Sequence, residues 1–309
     1  MSPVTPPRIA IFSDNSGWHE KRLLRAFARR NADARVVPLG ACRFGVSPTA
    51  GLCMPGFEDA LPDAALVRAI PDGTFEEVTF RLDILHGLGE CGVVVYNPAR
   101  AIERTVDKAM TSLLLGRAGI ATPPYWVCES EQEARSIAAQ EIGAGHKVVL
   151  KPLFGNCGRG LVLVDAVDRL PPREQVKGVY YLQRYVEQPG PGGRDWRVFV
   201  IAGKAVAAME RVSGNWITNR ARGGQCLSAV LTDELRDLAE RSAAATGACY
   251  TGVDIIRDAG GRYLVLEVNG VPAWRGLQSV HPVDIAELLA EDLLRRLAAS
   301  QHPSAVRKA

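Results

Sequence analysis

Gly260-Gly261 separates two apolar-rich runs, Gly252 to Ile256 and Tyr263 to Val268. A two-residue Gly-Gly loop between such runs is a strong β-hairpin signal, because both positions tolerate positive φ. Counting outward from that turn, Ala259 faces Arg262 and Asp254 faces Glu267, so both carboxylates share one face of the sheet. Asn269 joins them, since residues two apart on a strand lie on the same side. Like charges placed opposite each other are destabilising unless compensated, and a cation is the direct compensation. Three hard oxygen donors that leave positions open suit magnesium, with manganese as second choice and phosphate oxygens completing the shell. A solvated hairpin face bearing two unrelated acids is the plain alternative.

The chain has 309 residues, 47% of them hydrophobic, enough for two or three small domains with sizeable cores. A formal net charge of +3 is too small to argue for nucleic acid or a membrane surface as partner, and leaves small anionic substrates open. Seven cysteines show no CxxC pair and no metal-ligand spacing, and their odd number fits reduced thiols in a cytoplasmic protein. No charged lead followed by an apolar run opens the chain, and no stretch of about 18 apolar residues interrupts it, so neither secretion nor membrane spanning is expected.

Arg8 to Phe12 and Arg35 to Leu39 read as strands flanking a helix at His19 to Arg30. Leu66 to Ile70, Phe75 to Leu88 and Gly92 to Tyr96 continue a parallel α/β unit that closes near position 97. The first loop places Asp14, Asn15, Ser16 and His19 where open α/β sheets present ligand-contacting side chains, although Asp14 or Ser16 could equally cap the helix. Arg81 and His86 on a later helix are either substrate-facing or solvated. A helix from about Arg104 to Arg117 is expected to bury Val106, Met110, Leu113 and Leu114, and Ser130 to cap the next.

Val148 to Lys151 runs into Gly155-Asn156-Cys157-Gly158-Arg159-Gly160 and out through Leu161 to Val164. Because this loop feeds a strand and not a helix, the Walker and Rossmann readings both fail. A glycine-rich hairpin can still fold over phosphates, with Gly155, Gly158 and Gly160 allowing close backbone approach and Lys151 neutralising charge. An ordinary exposed hairpin is the alternative. Tyr180 to Glu187 reads as a strand entering a Pro- and Gly-rich linker whose backbone could read an adenine edge, with Glu187 accepting from ribose hydroxyls. The next hairpin, Val198 to Ile201 and Ala205 to Met209, gathers Arg197 and Arg211 with Arg220 and Arg222 of the following loop, and guanidiniums fork onto carboxylates and phosphates. Thr232 caps a helix that Gly247 ends, and a last helix spans Val283 to Leu297 before a tail from Ser300.

Taken in order, Asp107-Lys108, Val149-Leu150-Lys151-Pro152, the glycine loop, Gln183 to Glu187, Arg194-Asp195-Trp196-Arg197-Val198-Phe199-Val200 and Glu267-Val268-Asn269 resemble an ATP-grasp ligase of the RimK-like glutamate ligase group. The resemblance covers nearly the whole length. It implies a three-part α/β and α+β fold: an N-terminal parallel α/β domain (1–97), a small central lid domain (98–187) and a C-terminal antiparallel-sheet domain (188–300), with 301–309 as tail. It implies ATP and magnesium as cofactors, Lys108 and Lys151 on the phosphates, Gln183 and Val186 at the adenine with Tyr185 between them, and Glu187 at the ribose. Asp254, Glu267 and Asn269 become the metal ligands. Arg211 and Asn219 match positions at the γ-phosphate and acylphosphate, Arg222 one that holds a substrate carboxylate, and Arg197 joins this catalytic group.

Two departures leave amino-acid and acceptor specificity open: Asn156-Cys157 stands where Ser is frequent, and Trp216-Ile217-Thr218 precedes Asn219 where an Arg-Ser pair is frequent. The run Pro272 to Gln278 resembles a subgroup associated with one-carbon cofactors of methylotrophic bacteria. That implies L-glutamate and a tetrahydromethanopterin- or methanofuran-type precursor as small-molecule substrates, with no nucleic acid or membrane partner and homo-oligomerisation left open. The expected chemistry is carboxylate–amine ligation through an acylphosphate, with no protein nucleophile, since Cys157 lacks His–Asp support. Alternatives are a synapsin-type ATP-binding module, modification of a protein or carrier terminus, and a carboxylating or phosphotransfer enzyme on the same scaffold.

Overall fold

The computed structural model describes residues 5–46, 49, 51–155 and 158–301. The expectations on Asn156, Cys157 and the last residues of the tail lie outside these. The first unit consists of β1 (Arg8–Phe12), α1 (Trp18–Ala28), β2 (Asp33–Val37), the short pair β3 (Arg43–Phe44) and β4 (Leu52–Cys53), β5 (Ala64–Val67), α2 (Phe75–Glu90) and β6 (Val94–Tyr96). Its parallel sheet has the order β2-β1-β5-β6. Ile9 and Ile11 pack with Leu23 and Phe27 of α1, whereas Ala10 and Phe12 pack with Ile84, Leu85 and Leu88 of α2, so each face of the sheet has its own core.

The single helix expected from Arg104 is instead two, α3 (Ala99–Val106) and α4 (Lys108–Arg117). Asp107 leaves the helical region (φ −90°, ψ 107°), and its carboxylate accepts from the N–H groups of Ala109 and Met110, capping α4. The break changes which side of the helix is buried. Thr111, Ser112 and Leu115 face inward, while Met110 and Leu113, expected inside, are exposed.

The central unit contains β7 (Tyr125–Cys128), α5 (Glu131–Gly143), β8 (Val148–Lys151), β9 (Val162–Val164) and β10 (Tyr180–Arg184), in an antiparallel sheet ordered β7-β10-β8-β9. The glycine-rich segment therefore joins two paired antiparallel strands, as expected. Val148, Leu150 and Leu182 pack with Ala134 and Ala138 of α5, which by strand alternation leaves Val149, Lys151, Tyr181 and Gln183 on the other face.

The third unit is built from β11 (Gly193–Ile201), β12 (Lys204–Ser213), β13 (Gln225–Ser228), α6 (Asp233–Thr246), β14 (Tyr250–Arg257), β15 (Tyr263–Asn269), α7 (Arg275–Gln278) and α8 (Ile285–Gln301). Its antiparallel sheet is ordered β13-β12-β11-β14-β15. Thr232 caps α6 and Gly247 closes it in the left-handed region, and α8 runs on past Ser300. Val198, Val200, Val253, Ile255 and Val265 form a core with α6. On the opposite face, Phe199, Ile201, Met209 and Tyr250 share a core with Ile9, Ile11 and α8, fusing the first and third units. Fully buried Asn97 fastens that junction: its Nδ2 donates to the carbonyls of Tyr250 (2.7 Å) and Gly270 (2.6 Å), and its Oδ1 accepts from the N–H groups of Cys249 (2.6 Å) and Tyr250 (3.1 Å).

Asp254 does face Glu267, but by a route other than simple counting. The turn holds three residues, not two. Asp258 pairs with Arg262 and accepts from the Gly261 N–H, so Ile255 faces Val265 one step out of the expected register. Leu266 then forms a β-bulge that restores it. Among the described residues no helix is long and apolar enough to cross a membrane.

Candidate active site

The central and C-terminal sheets face each other across a cleft with a cavity of about 120 Å³. Val149, Lys151 and Gln183 form one wall, Tyr185 and Val186 the back, and Asp254, Ile256, Leu266 and Glu267 the other wall. Lys108, at the start of α4, donates to the Gly155 carbonyl at 3.0 Å. Lys151 donates to Gln183 Oε1 at 2.6 Å; Gln183 is in turn within 3.5 Å of the Tyr181 hydroxyl, which meets Ser112 at 2.7 Å. Gln183, expected at the adenine, thus orients Lys151 as well as lining the cleft.

Burial lowers the Lys151 ammonium to about 8, with Glu267 pulling it up and Lys108 pushing it down. A phosphate ligand needs the charged form. Affinity for the magnesium complex of a non-hydrolysable ATP analogue is therefore expected to be level below pH 8 and to fall by about tenfold per pH unit above it. Calorimetric titration across this range tests the point, and a level profile up to about pH 10 would remove Lys151 from the phosphates.

Beside the cleft lies a compact charge network. Arg197 forks onto Asp254 through two 2.7 Å bonds, and Arg211 forks onto Asp195 at 2.7 and 2.5 Å while reaching Asp254 at 2.9 Å. Thr218 donates to Asp195 at 2.8 Å. Asp195, Arg211 and Asp254 are each only 3% exposed, so the two-plus-two charge balance is what makes their burial tolerable. Burial alone would raise the Asp254 carboxyl, but Arg197 and Arg211 outweigh it and hold it at about 2. Arg197, expected among the catalytic residues, is instead the partner of Asp254 and lies outside the cleft lining. Asp195 and Thr218 were not singled out as site residues from sequence; nor were the apolar Ile256 and Leu266.

The donor set suits magnesium. Among the described residues no three His, Cys, Asp or Glu side chains cluster as a metal site, so two carboxylates and an amide oxygen are what the hairpin supplies. Glu267 makes no hydrogen bond or ion pair with any described residue. Asn269 spends Nδ2 on the Gly252 carbonyl (3.2 Å) and Asp254 (3.5 Å), which leaves its Oδ1 without a hydrogen bond among the described residues, and Asp254 Oδ1 accepts, among those residues, only from Arg197.

The glycine loop is latched to the segment after β12. Arg222 donates to the Gly158 carbonyl at 3.4 Å, and a Cβ on Gly158, whose φ is +66°, would sit 2.4 Å from Asn219 Oδ1. Gly158→Ala is accordingly expected to lower turnover about tenfold by opposing this closure, with global urea unfolding unchanged. Equal losses in both measurements would mean that the loop only supports the fold. Asn219 lines the cleft; Arg222 touches only its lid, and Gly160 braces against Pro152. Glu187 lies at the surface, paired with Lys147 at 3.1 Å and outside the lining. Arg81 is tied to the carbonyls of Pro71 and Asp72, and His86 to Glu103, so neither faces this cleft.

Residues 105–293 match the family model of the RimK-like ATP-grasp domain. The chain belongs to the RimK-like ATP-grasp family. Two tetrahydromethanopterin:alpha-L-glutamate ligases are among its relatives. That of Methanococcus maripaludis is 39% identical over 236 residues, covering 74% of this chain and 78% of that protein. That of Methanosarcina acetivorans is 34% identical over 264 residues, covering 75% and 79%. The fold is also that of the ATP-grasp ligase PsnB, solved with a minimal precursor, Mg and ADP (TM-score 0.70, 23% identity, 94% of this chain and 98% of that one). RimK-like ATP-grasp proteins are ATP-dependent ligases that form carbon–nitrogen bonds with magnesium, and this chain is an enzyme of that class, not a non-catalytic binding module.

Proposed function

We propose that the enzyme attaches L-glutamate to a carboxylate of a small cofactor precursor of the tetrahydromethanopterin or methanofuran type. The names of the Methanosarcina acetivorans and Methanococcus maripaludis relatives support glutamate and the tetrahydromethanopterin type; the methanofuran type rests on the resemblance of the run Pro272 to Gln278. The observation that carries the ligase site is the unpaired Glu267 facing Asp254, where Lys108, Lys151 and Arg211 line the same cleft. In the reaction a substrate carboxylate takes the γ-phosphoryl group, giving an acylphosphate and ADP. The amine then attacks the acyl carbon, phosphate leaves, and a proton is released to yield the amide.

Asp254, Glu267 and Asn269 would hold magnesium, which when bound neutralises charge on the β- and γ-oxygens. Lys151, aimed by Gln183, and Lys108 bind phosphate oxygens. Arg211 is fixed by Asp195 through Nε and Nη2, which leaves Nη1 to face the transferring group. The glycine loop, closed on Asn219, keeps water from the acylphosphate. Glu187 serves the ribose only if it exchanges Lys147 for it. We assign residues 1–97, 98–187 and 188–300 as the three functional domains, 301–309 as tail, and the cytoplasm as the location.

Purified protein with ATP, magnesium and L-glutamate is to be offered a panel of pterin and furan cofactor precursors and a carrier-protein terminus, with ADP release and product mass followed. A glutamyl adduct on a small precursor supports the proposal. An adduct on the carrier alone, or none with any acceptor, overturns it.

A further inference from the structure

A second cleft, of about 500 Å³, opens at the C-terminal edge of the N-terminal sheet, lined in part by Ser13, Asn15, Ser16, Trp18, His19 and Arg68. It includes three of the four loop residues that the strand-loop-helix pattern marks as ligand-facing. It shares no lining residue with the ATP cleft, yet one segment serves both sides: Ile217, Thr218 and Asn219 line the first cleft, while the stem of the adjoining Arg220 packs towards Gly276, beside the second.

Among the described residues two buried side-chain donors have no acceptor: Nε of Arg68, which lines this cleft, and Nε1 of fully buried Trp274, which packs behind His19 and outside the lining. They are neighbours. The Arg68 guanidinium lies 5.2 Å from the centre of the Trp274 ring, and Trp274 also contacts the His19 ring at 4.5 Å and gives its backbone N–H to His19 Nε2 at 3.3 Å. Arg68 has one long bond, from Nη1 to the Val271 carbonyl at 3.4 Å, and no ion pair with any described residue. Arg220 and Arg275 are exposed and likewise make no ion pair with described residues. The one acid among the lining residues is Glu20: its Oε1 accepts from the Ser13 hydroxyl at 2.8 Å, and its charge acts on Arg68 from beyond ion-pair distance. Arg275 adjoins Trp274, which packs on His19, and the Arg220 stem lies against Gly276, so both belong to segments beside Arg68 and His19; in keeping with this, burial, then Arg68, Arg275 and Arg220, hold His19 down to about 3. Buried donors and cations left without partners are expected where a ligand completes them.

We infer that this cleft binds a carboxylate of a ligase substrate, with Arg68 of its lining as the first counter-charge and the exposed Arg220 and Arg275, on the segments packed beside it, as the others. The inference rests on the ligase reading, and deepens it by placing one substrate anion outside the ATP cleft. Two sources share this chemistry: the incoming amino acid and a distal carboxylate of the acceptor. Binding there would use interactions remote from the reacting atoms to position the substrate.

The test uses the full-length protein and calorimetric titration with L-glutamate, glutarate and inorganic phosphate, and separately with the magnesium complex of a non-hydrolysable ATP analogue. Arg68→Met and Arg275→Ala are each expected to weaken the dicarboxylate by about tenfold or more while the nucleotide affinity stays within about twofold. Arg275 is exposed, so that variant carries the test if Arg68→Met fails to fold. Preference for L-glutamate assigns the cleft to the amino acid, and preference for glutarate to the acceptor; either supports the inference. Binding of phosphate alone, of no anion, or of the dicarboxylate with wild-type affinity in both variants overturns it. Absence of nucleotide binding by the wild type would instead overturn the ligase reading.

Discussion

Glu267→Gln is expected to lower kcat for ADP formation by about two to three orders of magnitude. The substitution keeps the size of the side chain and one carbonyl oxygen but removes a full charge from the position facing Asp254. Asp254 cannot make up the loss, because its carboxylate is already shared between Arg197 and Arg211. Glu267, by contrast, makes no hydrogen bond or ion pair with the described residues and acts on Lys151 only at longer range, so its carboxylate oxygens stay open to a ligand. The same fact sets the second half of the prediction. Relief of the repulsion with Asp254 and loss of the longer-range attraction to Lys151 oppose each other, so unfolding stability should stay within about 0.5 kcal/mol of wild type. Turnover assayed across a magnesium titration, beside urea unfolding, separates the two effects. Activity within fivefold of wild type at saturating magnesium would take Glu267 out of the metal site.

Asn97→Ala should produce the largest loss of stability, about 4 kcal/mol or more. The amide satisfies two buried N–H groups and two buried carbonyls, each of which is costly to leave without a partner. Those groups belong to the start of β14 and the residue after β15, so the same side chain that closes the N-terminal unit also holds the base of the hairpin that carries Asp254, Glu267 and Asn269. Urea unfolding monitored by circular dichroism measures the effect. A loss below about 1 kcal/mol would mean that water replaces the amide without penalty.

Much of this was legible in the chain. The parallel and antiparallel units, the glycine loop between paired strands and the Thr232 and Gly247 caps follow from local chemistry. The facing of Asp254 and Glu267 was read correctly, although the extra turn residue and the Leu266 bulge cancelled in the count. The pairing of Asp195 with Arg211 goes unread because the hairpin is taken as Val198 to Ile201 and Ala205 to Met209, short of both residues; the structure extends both strands, with a two-residue turn at Ala202-Gly203 and a compensating slip between Phe199 and Val200. A bulge depends on packing across the whole sheet and leaves no mark in the local pattern. The break at Asp107 was obscured for a different reason: apolar residues continue across it at roughly helical spacing, and only the Asp cap signals a new start. The second cleft needed tertiary structure outright, because Arg68, Arg220 and Trp274 come together from three separate segments.

The Leu266 bulge has a bearing on how such a site could diversify. In a regular strand alternate residues share a face, so a residue added to β15 would ordinarily turn everything beyond it over. Here Val265 and Val268 both remain in the core, while Leu266 and Glu267 both line the cleft. The strand therefore accommodates one more position without disturbing Glu267 and Asn269 beyond it. Deleting Leu266 would restore strict alternation and keep Glu267 opposite Asp254, removing only an apolar patch of the wall. Gain or loss of a single codon at this point can reshape the pocket while the phosphoryl-transfer chemistry is inherited intact.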